Sequence, residues 1–158
     1  MKKSVEKTNV CRVFDSKKIN YTLRSYADTD AVSGTEVAAV LGLDENRVFK
    51  TLVTVGASKK YYVFVVPVSG ELDLKKAAKA VGEKKIEMIK SKELLPLTGY
   101  VHGGCSPVGM KKQFRTVIDS SAESFETIMF SAGKIGYQVE TSLSELKKAI
   151  PFELAQIV

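Results

Sequence analysis

Two consecutive apolar runs constrain the fold of this chain more than any other feature. Val48-Phe49-Lys50-Thr51-Leu52-Val53-Thr54-Val55 is followed by Tyr61-Tyr62-Val63-Phe64-Val65-Val66-Pro67-Val68. Both are rich in β-branched and aromatic residues, and the stretch 56–60 between them has the composition of a turn. The second run is apolar at nearly every position. Both its faces must therefore be covered, which places it centrally in a sheet with Pro67 at its end.

Short helices and further strands surround this pair. Val5, Cys11, Phe14 and Lys18 recur at helical spacing, which predicts an amphipathic helix over 4–18 with Cys11 on or near its buried face. Ile19, Tyr21 and Leu23 alternate as in a half-buried strand, and Asp28-Thr29-Asp30 reads as a polar loop. Ser33 and Glu36 stand at capping-box spacing before an apolar helix that Gly42 terminates, and Asp44 can cap one more turn. Asp73 caps a helix over 74–81 closed by Gly82. A short strand is expected over 86–90, then a brief helix capped by Ser91 and interrupted near Pro96. Strands follow at 114–119, 126–130 and 137–140. Ser142 and Glu145 form a second capping box, opening a helix to Ile150. Without regular βαβ alternation, the fold class expected is α+β, with a mixed, mostly antiparallel, barrel-like sheet surrounded by short helices. A length of 158 residues without repeat or linker is expected to form a single domain, 1–158.

Chemistry concentrates around Tyr100-Val101-His102-Gly103-Gly104-Cys105-Ser106-Pro107-Val108-Gly109. Adjacent glycines mark a sharp turn or a close approach to the backbone. Two readings stay open: a turn between strands, or a wall of bare N–H groups facing a ligand carbonyl or phosphate. Lys50 is likewise either a solvent-edge lysine or a fixed cation for a phosphate or a developing negative charge. A second loop, Ser131-Ala132-Gly133-Lys134-Ile135-Gly136, resembles the first. Lys50 and both loops could converge on one pocket that supplies backbone donors, hydroxyls and a cation.

Other chemistries find little support. His102 and Cys105 lack an orienting third group for nucleophilic attack and the remaining ligands of a zinc site. The glycine loops carry no P-loop ending. No metal and no cofactor is expected. Twenty-four Lys and Arg against 18 acids give a net charge of +6, compatible with an RNA partner but not diagnostic of one. No apolar run approaches the roughly 20 residues that span a bilayer. The basic start lacks the apolar stretch of a secretory signal, and two distant cysteines read as reduced thiols, so a cytoplasmic location is expected.

The three motifs, Val48–Leu52, Gly103–Gly109 and Ser131–Gly136, resemble the YbaK/EbsC family over nearly the whole chain. These are free-standing trans-editing aminoacyl-tRNA deacylases related to the editing domain of bacterial prolyl-tRNA synthetases. The resemblance implies hydrolysis of the ester between a wrong amino acid and the tRNA 3′ end, typically cysteine on proline tRNA, with alanine an alternative. It implies a catalytic set of Lys50, Gly103 and Gly104. It implies a substrate-binding set with Tyr26, Thr51 and Ser131, to which Ser106 and Gly133 are added from the two loops. Its partners would be aminoacyl-tRNA and, as a further candidate, prolyl-tRNA synthetase. The implied mechanism is attack by the substrate's own thiol on its ester, or by a water held by the terminal ribose hydroxyl. Ser33 stands where several relatives carry a bulky aromatic, which leaves the pocket's size open. The alternative class is a binding module for tRNA, a nucleotide or a synthetase, without catalysis.

Overall fold

A computed structural model describes residues 7–158. The hairpin predicted by the two apolar runs forms as β2 (Phe49–Gly56) and β3 (Tyr61–Pro67), antiparallel with Phe49 opposite Pro67 and Val55 opposite Tyr61. β3 is central, in the order β4-β2-β3-β5-β8. β4 (Ile86–Met88) pairs antiparallel with β2. β5 (Arg115–Asp119) and β8 (Glu153–Ala155) extend the other side in parallel. A second sheet, in the order β1-β7-β6, joins β1 (Thr22–Ser25), β7 (Tyr137–Thr141) and β6 (Ile128–Ser131), all antiparallel.

The strands are thus mixed and mostly antiparallel, as expected. They do not close into a barrel. They form two sheets, whose backbones are linked, among the described residues, through one isolated parallel bridge between Val48 and Met129.

β3 is apolar on both faces because each face has its own core. Val63 and Val65 point into the main core with Val10, Phe14, Phe49, Ile118 and Phe130. Tyr62, Phe64 and Val66 point the other way, against Ala77, Ala78 and Val81 of α3 (Leu74–Val81). Period-two alternation delivers one set of side chains to each side. A buried valine or phenylalanine contributes about 1.5–3 kcal/mol, so this strand anchors both layers.

Capping chemistry sets several helix starts. α1 (Asn9–Ser16) is capped by Thr8, and it buries Val10, Cys11 and Phe14. The part of the expected helix that contains Val5 lies outside the described residues. The Ser33–Glu36 box forms in full at α2 (Gly34–Val40), and Asp44 caps the 3-10 turn Glu45–Arg47. Asp73 accepts from Lys75 and Lys76 N–H at the start of α3.

Two helices depart from expectation. α4 (Ser91–Thr98) continues through Pro96 instead of stopping there, and Lys90, not Ser91, is its N-cap. The Glu93 carboxylate accepts the Lys90 N–H at 3.0 Å. Pro96 deprives only the Lys92 carbonyl, within the first turn, so the short helix tolerates it. α5 ends early, at Leu143–Leu146, and the chain tightens into 3-10-like turns such as Ala149 N–H to Leu146 O at 2.9 Å. Only half of its predicted box forms, because Glu145 binds Lys148 and Asn20 rather than turning back to Ser142.

Candidate functional site

The cavity at the start of β2 encloses about 210 Å³, and its lining draws on both glycine loops, on β2 and on the second sheet. Tyr26, Lys50, Thr51, Gly103 and Ser131 all line it. Residues from four separate stretches therefore meet at one place, as the motif reading anticipated.

β2 brings Lys50. Its side chain is one-third exposed, and its Nζ stands 3.8 Å from the carboxylate of Glu71, which is almost fully solvated. The register of β2 is held from outside the site. Arg47, just ahead of the strand, donates to Glu140 on β7 at 2.9 Å, while Arg24 on β1 donates to the same carboxylate at 2.6 Å. Thr127 adds a third donor at 2.6 Å. Burial works to raise the Glu140 pKa, but the Thr127 hydroxyl and the two guanidinium groups outweigh it and leave the carboxyl below its usual range. This cluster ties both sheets to the chain three residues before Lys50. It carries no motif, and only its assembly in three dimensions reveals it.

The glycine loops meet main chain to main chain. A Cβ on Gly104 would lie 3.2 Å from the Ile135 nitrogen and 3.5 Å from the Lys134 carbonyl carbon. That explains why this position takes glycine. Gly103 has φ +88, a conformation in which a side chain is strained. The two glycines then part company. Gly103 lines the cavity, and its N–H finds no acceptor among the described residues. Gly104 does not line it, and its N–H is committed to the Val101 carbonyl at 3.0 Å.

Ser106 and Gly133 also stand outside the lining. Ser106 is fully buried, and its Oγ accepts the Val108 N–H at 3.3 Å. Gly133 packs under Tyr100 and Val10, where a Cβ would come within 3.0 Å of the tyrosine ring. Its N–H donates to Ser131 Oγ at 3.1 Å, which leaves that hydroxyl's proton directed elsewhere. Both residues shape the loops from behind.

His102 and Cys105 do line the cavity. Burial pushes the Cys105 thiol up to about 12, so at neutral pH on the order of one molecule in 10⁵ carries a thiolate. Such a thiol is a poor nucleophile, in keeping with a packing role. Among the described residues, no group of three or more His, Cys, Asp and Glu gathers as a metal site. No described helix is long and apolar enough to cross a membrane.

Ser33, Val32 and Gln138 complete the parts of the wall that matter here. Ser33 caps α2 at the cavity edge, with no aromatic ring there to narrow it, and Val32 stands 83% exposed at the rim. Gln138 is 7% exposed and pairs across the strands with Ser131.

Known proteins of the same kind share this architecture. The family described as "Aminoacyl-tRNA editing domain" matches residues 28–149. A relative from Enterococcus faecalis, described as "Putative Cys-tRNA(Pro)/Cys-tRNA(Cys) deacylase EbsC", is 44% identical over 99% of this chain and 96% of its own length. A proline–tRNA ligase from Shouchella clausii is 30% identical over 73% of this chain, which spans only 20% of that enzyme. Among solved structures, a "putative trans-editing enzyme for prolyl tRNA synthetase" superposes with a TM-score of 0.80 at 22% identity, covering 95% of this chain and 97% of its own, a likeness of fold. With the family matched over most of its length, this chain belongs to the aminoacyl-tRNA editing domain family.

Proposed function

We propose that the chain removes a small, wrongly attached amino acid from tRNA in trans, with Cys-tRNA(Pro) as the first substrate. The observation that carries this reading is that Lys50 and Gly103, whose N–H has no acceptor among the described residues, line one small cavity. An ester of the tRNA 3′ end needs those two elements: a cation for the phosphate or ribose, and a donor for the carbonyl oxygen as it gains charge. A volume of about 210 Å³ falls below the range usual for drug-sized ligands, which suits an aminoacyl group but not a nucleobase as well. The Enterococcus faecalis relative's description names the same ester.

The step follows from what the wall does not offer. Burial holds Cys105 as a thiol, which favours a nucleophile from outside the protein, either the substrate's own thiol or a water held by the terminal ribose hydroxyl. On the thiol route, the cysteinyl thiol attacks its own ester carbonyl, a C–S bond forms, and the bond from carbonyl carbon to ribose oxygen breaks. The thiol proton ends on the ribose oxygen, and water then opens the thiolactone. Gly103 stabilises the oxyanion, and Lys50 orients the terminal nucleotide. Serine-tRNA(Pro), isosteric but with a weaker nucleophile, should react far more slowly.

Incubation of the protein with Cys-tRNA(Pro) and Ala-tRNA(Pro) tests the reading. Release of cysteine well above the protein-free rate is expected. Binding of both esters without release of either amino acid would overturn it and leave a binding module.

A further inference from the structure

An aminoacyl ester brings one group into the cavity that carries a positive charge when protonated, its α-ammonium. Three N–H donors then require acceptors, and a buried charge without them is expelled. No aspartate or glutamate lines the cavity, so the acceptors must be neutral oxygens. The wall residues hold two buried side-chain oxygens that lack a hydrogen-bond partner among the described residues, Thr51 Oγ1 and Gln138 Oε1. Buried acceptors without partners are uncommon in folded proteins and call for a specific explanation. Ser131 is less open, because its Oγ already accepts the Gly133 N–H.

Gln138 is the better placed of the two. It is more than nine-tenths buried, on β7 directly opposite Ser131 of β6, and both residues line the cavity. Its oxygen is closed off from solvent in this structure, but the last torsion of a glutamine is broad and roughly two-fold, so a half-turn of the amide brings the oxygen to the other side, where a bound donor can meet it. The backbone beneath it is fixed by the Glu140 cluster two residues along the same face.

We infer that Gln138, assisted by Thr51, is the specificity-determining residue that accepts the α-ammonium of the bound aminoacyl group. The cavity thereby distinguishes free aminoacyl esters from acyl esters that lack the amine. This rests on the proposed ester-cleaving role of the same cavity, but it can be tested without turnover.

The probes are two non-hydrolysable mimics of the tRNA end, 3′-alanylamino-3′-deoxyadenosine and its 3′-propionylamino counterpart, which differ only in the amine. Each is titrated into the full chain by calorimetry or NMR. The wild type should bind the alanyl compound roughly tenfold or more tightly, the worth of a hydrogen bond to a charged group. Gln138→Leu should lose most of that preference, and Gln138→Glu should enlarge it by adding a charge. Equal binding of the two probes by the wild type, or no binding of either, overturns the inference. So does an unchanged preference in a folded Gln138→Leu, or weaker alanyl binding in a folded Gln138→Glu. A preference that follows Gln138 in a protein that releases no amino acid would sink the deacylase reading and leave this one standing. Deacylation with no such preference would do the reverse.

Discussion

Replacing Lys50 with methionine separates function from folding. The side chain is one-third exposed, and its one ion pair among the described residues is a 3.8 Å approach to Glu71, whose side chain is 94% exposed. Exposed pairs of this kind contribute about 0–1 kcal/mol. Methionine keeps the length and apolar stem of lysine, so the variant should lose no more than about 1 kcal/mol of stability. For a chain of this size that corresponds to a melting shift of about 2–4 °C. The effect on the substrate is larger. A charge-assisted contact to a phosphate or ribose is worth about 1.5–3 kcal/mol, hence a loss of roughly 10- to 150-fold in kcat/KM. Single-turnover deacylation of Cys-tRNA(Pro), run beside a thermal melt of the same preparation, reads both quantities. A folded variant within threefold of wild-type activity would refute the role given to Lys50. A melting temperature lower by more than about 8 °C would show instead that the lysine supports the fold.

Three further outcomes follow. Cys105→Ala should keep most of its deacylase activity, since burial holds this thiol near 12; loss of activity in a folded variant would restore it as a nucleophile. Gly104→Ala should force the two loops apart, because its Cβ would meet the Ile135 backbone at 3.2 Å; a lower kcat/KM and a destabilisation of about 1–3 kcal/mol in urea melts are expected, whereas unchanged values would mean the loops yield freely. Glu140→Gln should cost stability at pH 7. Because the folded protein holds this carboxyl below its usual pKa, its contribution is complete above the unfolded value of about 4.3 and is lost as pH falls through the lower folded one. The gap between wild type and variant in urea midpoints should therefore shrink from pH 7 to pH 3.5, and a gap independent of pH would rule out the charge as its source.

The sheet, most helix starts and the approximate site were determined locally. β3 announced itself as doubly buried because both alternate sets of its side chains are apolar, and the two cores confirm it. Ser33, Asp44 and Asp73 announced their caps because a short oxygen-bearing side chain satisfies the first N–H groups of the turn it precedes. Lys50 and the glycine loops stood out because each breaks its local pattern. What lay beyond the sequence depends on partners distant along the chain. Whether the strands close into a barrel turns on backbone pairing between sheets, and among the described residues that pairing is the one Val48–Met129 bridge. Which glycine faces the cavity turns on where each N–H goes, and Gly104 is committed to Val101 while Gly103 is not. Gln138 and the Arg24–Arg47–Glu140 cluster resemble ordinary surface residues when read in line. The burial of Gln138 at the cavity and the charge pairing of the cluster outside it arise only when β1, β6, β7 and the start of β2 come together.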